Sequence, residues 1–155
     1  MELQNPLVIV LEGNSKRYAQ STRRNDSITE QDVENFVREF LQQMFIWEIL
    51  SPDTILRQVS PLATEGLLDR VKQELLKQSE KNFKGKTLSQ AIANVKVTVT
   101  DKNVIATFDK VLRIDGVPLV IPSEIAFGIT RGSQTRWNPM GLYVNGLVER
   151  EGAKN

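Results

Sequence analysis

Apolar residues recur at Val33, Phe36, Val37, Phe40, Leu41, Met44 and Phe45, the three-and-four spacing that lines up side chains on one face of a helix. Ser27 or Thr29 stands before this run as a cap, with Glu30 or Asp32 three residues on in the manner of a capping box. The pattern predicts a first helix with one broad stripe turned to a core. Ile46, Trp47, Ile49 and Leu50 carry the apolar surface past that stripe. The end of the helix is therefore embedded or held against another chain, and burial is expected because a domain of this size needs a large aromatic anchor. Ser51-Pro52-Asp53 restarts a helix, with Ser51 as cap and Pro52 at the first helical position, where its missing N–H is not needed. It ends near Ser60-Pro61. A third helix is predicted over about 62–79, with Leu67, Leu68, Val71, Leu75 and Leu76 as its apolar face and Arg70, Lys72, Glu74 and Lys77 as its wet one.

From Leu88 onward the period changes to alternation. Val95, Val97 and Val99 alternate with Lys96, Thr98 and Thr100, and Asp101-Lys102-Asn103 makes a turn. Residues 104–114 form a second strand, Asp115-Gly116 is a strong two-residue hairpin signal, and 117–130 form a third strand. Pro118 and Pro122 weaken pairing at the start of that strand and point to an edge or a bulge. Residues 142–150 are the last strand. Ahead of the helices, 6–11 read as a short strand closed by Gly13, and 14–26, with Lys16, Arg17, Arg23 and Arg24, as a solvated connector. The basic loop 81–86, carrying Lys81, Lys84 and Lys86 and broken by Gly85, is read as solvated too. The chain thus divides into an N-terminal extension (1–26), a single domain (27–150) and a short tail (151–155). Three helices before a four-stranded antiparallel meander predict an α+β domain in which the helices pack on a curved sheet. This order resembles the cone-like fold of the nuclear transport factor two class, a class whose members include enzymes, receptors and scaffolds.

At 155 residues the chain can bury roughly 68–70% of its unfolded surface as one domain. It has no cysteine and no histidine, which removes disulfides, thiol nucleophiles, the commonest metal ligand and the commonest general base. With 20 basic and 19 acidic residues the formal charge is +1, so no global field draws nucleic acid or an anionic membrane surface. The longest apolar runs, 6–11 and 117–122, fall far short of the ~20 residues that span a bilayer. Glu30, Asp32, Glu34 and Glu39 lie at helix-surface spacing, where solvation and the helix dipole account for them, and no metal site is expected. The segment 128–132 lacks the Lys-Ser/Thr ending of a phosphate loop and opens no helix. An enzyme of this fold would need proton transfer by Asp109, Glu124 or Tyr143, the candidates on strands. Catalytic residues, metal and cofactor are accordingly none, and small-ligand catalysis or binding is the alternative reading.

What remains is a surface for another protein. In Trp137-Asn138-Pro139-Met140-Gly141-Leu142-Tyr143-Val144, Pro139 fixes its own φ and pushes Asn138 toward extended geometry, while Gly141 permits a positive φ. Trp137, Met140, Leu142 and Tyr143 place large apolar side chains around that preset kink. An Asn-Pro-x-Gly turn entering the terminal strand, a first helix of the Val33-x-x-Phe36-Val37-x-x-Phe40-Leu41 kind and the helix-then-strand order together resemble the TraE-like family. These are the periplasmic domains of bitopic inner-membrane assembly factors of bacterial type IV secretion and conjugation machines. The resemblance covers about 28–150 and implies a non-catalytic scaffold that self-associates as a dimer or higher oligomer and touches other channel subunits. It implies no direct nucleic-acid contact, and membrane attachment only through a transmembrane helix that this sequence does not include. By the same resemblance Asn138, Pro139 and Gly141 serve self-association and partner contact. Surface chemistry adds Trp137, Met140 and Tyr143 to that set. The strand-like segment before the first helix departs from the family pattern.

Overall fold

The computed structural model describes residues 28–80 and 85–151. The strand expected at 6–11, the basic residues of 14–26, and Lys81 and Lys84 lie outside the described residues. Helix α1 (Glu30–Phe45) opens on the reciprocal bonds of a capping box: Thr29 Oγ1 accepts from the Asp32 N–H and the Asp32 carboxylate accepts from the Thr29 N–H, each at 3.0 Å. All seven residues of the predicted stripe are buried. The helix stops where Ile46 turns extended, and Trp47 then exchanges backbone hydrogen bonds with Gln90 of the sheet at 3.0 and 2.8 Å. Extended backbone at Ile46 and Trp47 sends these two side chains to opposite sides, and the chain then bends at Glu48 and Ile49. Trp47 is therefore buried, whereas Ile46 and Ile49 are 43% and 75% exposed, so the expected burial of this segment holds for its aromatic and not for the isoleucines.

Helix α2 (Pro52–Val59) is capped by Ser51 Oγ, which accepts from the Thr54 N–H at 3.3 Å, and it buries Ile55 and Val59. Helix α3 (Glu65–Glu80) starts later than its apolar pattern predicts. Ser60–Leu62 form a 3-10 turn, Ala63 is extended, and the Thr64 N–H is bonded to the Val144 carbonyl at 3.0 Å before the helix begins. Leu67, Val71 and Leu75 face the core, while Leu76 is exposed.

The sheet runs β1 (Leu88–Val99), β2 (Val104–Ile114), β3 (Val117–Arg131), β4 (Leu142–Glu151), antiparallel and in chain order. Asp115 and Gly116 take φ of 52° and 86°, the left-handed pair that a two-residue hairpin requires. Register shifts between Ala93 and Lys96 and between Gly128 and Ile129 are the local irregularities that bend a sheet. Strand β4 pairs with β3 only from Ser123 onward. Among the described residues, 117–122 thus pair with β2 alone, and of the expected edge or bulge the two prolines lie on an edge. One sheet face carries Ala106, Phe108, Leu112, Ile125, Phe127 and Ile129 into the core, where Phe40 meets Phe127 edge-on at 5.7 Å. The architecture is the predicted α+β arrangement of three helices over a four-stranded antiparallel sheet. Among the described residues no helix is long and apolar enough to cross a membrane.

Candidate functional site

Two consecutive turns build the segment before β4. Thr135 and Asn138 exchange backbone bonds, both at 3.1 Å, and Thr135 Oγ1 accepts from the N–H groups of Trp137 and Asn138 at 3.2 and 2.9 Å. Arg136 and Trp137 are thereby presented at a closed tip. The Gly141 N–H then donates to the Asn138 carbonyl at 3.0 Å across Pro139 and Met140, and the Gly132 N–H donates to the Gly141 carbonyl at 2.8 Å. Gly141 has φ +69°, and a Cβ there would lie 2.7 Å from the Gly132 carbonyl oxygen, so both backbone and space demand glycine. Asn138 is the buried pin of this assembly. Its side-chain amide donates to the carbonyls of Pro61 (3.0 Å) and Leu142 (2.6 Å), and its Oδ1 accepts from the Leu142 N–H (3.3 Å). These bonds tie the turn both to the corner between α2 and α3 and to the start of β4.

The residues singled out from the sequence separate by depth. Trp137 is 70% exposed, with the Arg136 guanidinium 5.3 Å from its ring centre, and Pro139 is exposed beside it. Met140 is half-buried against the core, and half-buried Tyr143 donates its hydroxyl to the Ser133 carbonyl at 2.6 Å. Asn138 and Gly141 are buried. Leu142, expected among the surface apolar groups, is fully buried because the first residue of β4 falls on the core face. Arg136 was not picked out from the sequence. Its place beside a tryptophan ahead of an Asn-Pro turn was the available signal.

The strand candidates for proton transfer project from the sheet face turned away from the helices, because they alternate with the buried rows. Asp109 neighbours buried Phe108, Glu124 lies between Ser123 and Ile125, and Tyr143 lies between Leu142 and Val144. Asp109 accepts from Asn94 Nδ2 at 2.8 Å, and Glu124 pairs with Arg150 at 2.6 Å. None of the three lines the concave cleft of about 730 Å³ that lies between α3, the end of α1 and the inner sheet face. That cleft has Phe45, Trp47, Val71, Leu112 and Leu147 among its apolar walls, and on its floor Lys110 is ion-paired with Glu149. The Lys110 Nζ also sits 5.0 Å from the centre of the Phe45 ring. Lys110 could have been found as the charged interruption of the inner row Ala106, Phe108, Leu112. Glu149 could not: Leu142 and Val144 point inward at even positions, and the register shift opposite Gly128 and Ile129 turns odd positions inward beyond it. Among the described residues no acidic cluster suited to a metal ion occurs.

No family model matches the chain, and no curated protein matches it. Solved structures do match. The soluble domain of TrwG from the type IV secretion machinery of Bartonella grahamii aligns over 81% of this chain and 96% of its own, with a TM-score of 0.62 at 7% identity. The VirB8 protein of Agrobacterium tumefaciens aligns over 86% of this chain and 97% of its own, with a TM-score of 0.56 at 13% identity. The fold is VirB8-like. TraE, in complex with 2-(2-furyl)isonicotinic acid, shares it over 79% of this chain and 96% of its own, with a TM-score of 0.56 at 13% identity. At these identities the VirB8-like likeness is one of backbone architecture.

Proposed function

We propose that the chain is a non-catalytic assembly subunit of a type IV secretion or conjugative DNA-transfer apparatus, acting as the periplasmic domain of a bacterial inner-membrane protein. The VirB8-like fold, matched over 96% of the TrwG soluble domain, carries this reading. Its mechanism is the placement of surfaces. The three helices fix the sheet, and the sheet presents the segment from Trp137 to Tyr143 for self-association and for contact with other channel subunits. Within that segment Asn138 and Gly141 shape the turn from inside, Met140 and Tyr143 brace it, and Trp137 and Pro139 are the side chains a partner meets. A chain without cysteine or histidine, whose strand carboxylates Asp109 and Glu124 face away from the cleft, suits a role without catalysis.

The test is a tagged pull-down of the native protein from detergent-solubilised membranes, with co-purifying proteins identified by mass spectrometry. Recovery together with secretion-channel subunits is expected. Recovery as a soluble protein without them overturns the proposal. The cleft supports a second activity, small-ligand binding, because apolar walls around one charge pair are the usual make-up of such a site. Titration with 2-(2-furyl)isonicotinic acid should shift the NMR signals of residues around Lys110 and Glu149; unperturbed cleft signals at saturating compound remove this reading.

A further inference from the structure

Trp137 and the end of α1 each expose apolar side chains beside a charge of their own, and the two charges are opposite. On the turn, Trp137 stands under the guanidinium of exposed Arg136. At the end of α1, exposed Ile46 and Ile49 flank exposed Glu48. Both patches are held in place by backbone. The Thr135–Asn138 pair closes the first, and the Trp47–Gln90 pair fixes the second to the edge strand β1. They sit far apart in one copy. Asn138 is bonded into β4 and Trp47 to β1, the opposite edges of the sheet, about 14 Å apart at three interstrand spacings. Helix α2 runs between them, from Ser51 near the second patch to the Pro61 carbonyl that Asn138 binds.

Resting on the assembly role proposed above, we infer that the Arg136–Trp137 tip of one copy docks on the Ile46–Glu48–Ile49 patch of a second copy. The Trp137 ring covers the two isoleucines, and Arg136 meets Glu48 at the rim. Tryptophan and arginine are the side chains enriched at the centres of contacts. Because both patches are already fixed, little chain is ordered on docking. The charge signs bring a turn to a helix end and oppose turn meeting turn, where two arginines would face each other. The contact is therefore heterologous: a docked pair still offers one free patch of each kind. Assembly proceeds head to tail, closing into a ring or extending as a filament according to the rotation between copies.

The variants Trp137→Ala and Ile49→Asp change exposed side chains, and circular dichroism confirms that each is folded. In sedimentation velocity over a concentration series, each alone should weaken self-association about tenfold or more. Mixed in equal amounts, the two should form a one-to-one pair that does not grow, since each supplies the patch the other lacks. Arg136→Glu should likewise weaken association, and Glu48→Arg in the same chain should restore it; this pair keeps the test alive if Ile49→Asp fails to fold. Loss of association with Trp137→Ala but not with Ile49→Asp, and no recovery on mixing, overturns the head-to-tail contact and leaves the turn's role standing. Indifference to Trp137→Ala, or a parent chain that stays monomeric at every concentration, overturns the docking itself.

Discussion

Asn138 and Trp137 are neighbours with opposite tasks, and the division can be measured. Asn138→Ala leaves the Leu142 N–H and the Pro61 carbonyl without their partner in a buried place, which should lower stability by about 3 kcal/mol. Trp137→Ala removes an exposed ring and should stay within about 0.5 kcal/mol. Urea denaturation reads both, and equal midpoint shifts would contradict the division. The kink at Pro139 and Gly141 was legible in the sequence because limits on φ are a property of the residue itself. The burial of Asn138 was not, because the Pro61 carbonyl that rewards it lies 77 positions away.

Strand β3 shows the same split at the scale of the element. The two-residue turn makes Ile114 and Val117 a hydrogen-bonded pair, so residues 118, 120 and 122 point their backbone groups away from β2. With β4 pairing only from Ser123, these positions face an edge that no described strand covers. Two of the three are proline, leaving the Val120 N–H as the one donor on this stretch of edge. An exposed aliphatic edge of this kind would otherwise template pairing with another chain. The double variant Pro118→Thr with Pro122→Thr restores both donors and should raise light scattering on mild heating, with an unchanged circular dichroism spectrum before heating. Scattering equal to that of the parent would assign the edge's protection to something other than the prolines. The sequence marked this segment as an edge or a bulge; the described pairing, with β2 on one side alone, makes it an edge.

For the whole molecule, the open question is what a charge pair does inside the cleft. Lys110, 12% exposed in its side chain, is the deeper partner, and Glu149, at 26%, is the shallower. Removing the shallower carboxylate strands the deeper cation, so Glu149→Leu should destabilise by about 2 kcal/mol. Adding Lys110→Met to that variant should recover most of the loss, because apolar replacement of a whole buried pair is often neutral or better. Chemical denaturation of the single and double variants decides it; an additive loss would mean that the two side chains act independently.

The sequence by itself determined the helix stripes, the cap at Ser51, the Asp115-Gly116 hairpin and the order of helices before strands, and with them the fold class; for the first helix it narrowed the cap to Ser27 or Thr29. Each of these follows from interactions within a few residues of chain, so the residues present are sufficient to specify it. Only the tertiary structure decided which faces mattered. A register shift between β3 and β4 brought Glu149 to Lys110, an edge pairing with Gln90 turned Trp47 inward and its neighbour Ile46 outward, and the alternation of buried rows put Asp109, Glu124 and Tyr143 on the wrong side for a cleft. Strand pairing over long separations sets these outcomes, and a shift of one residue in register exchanges inside for outside.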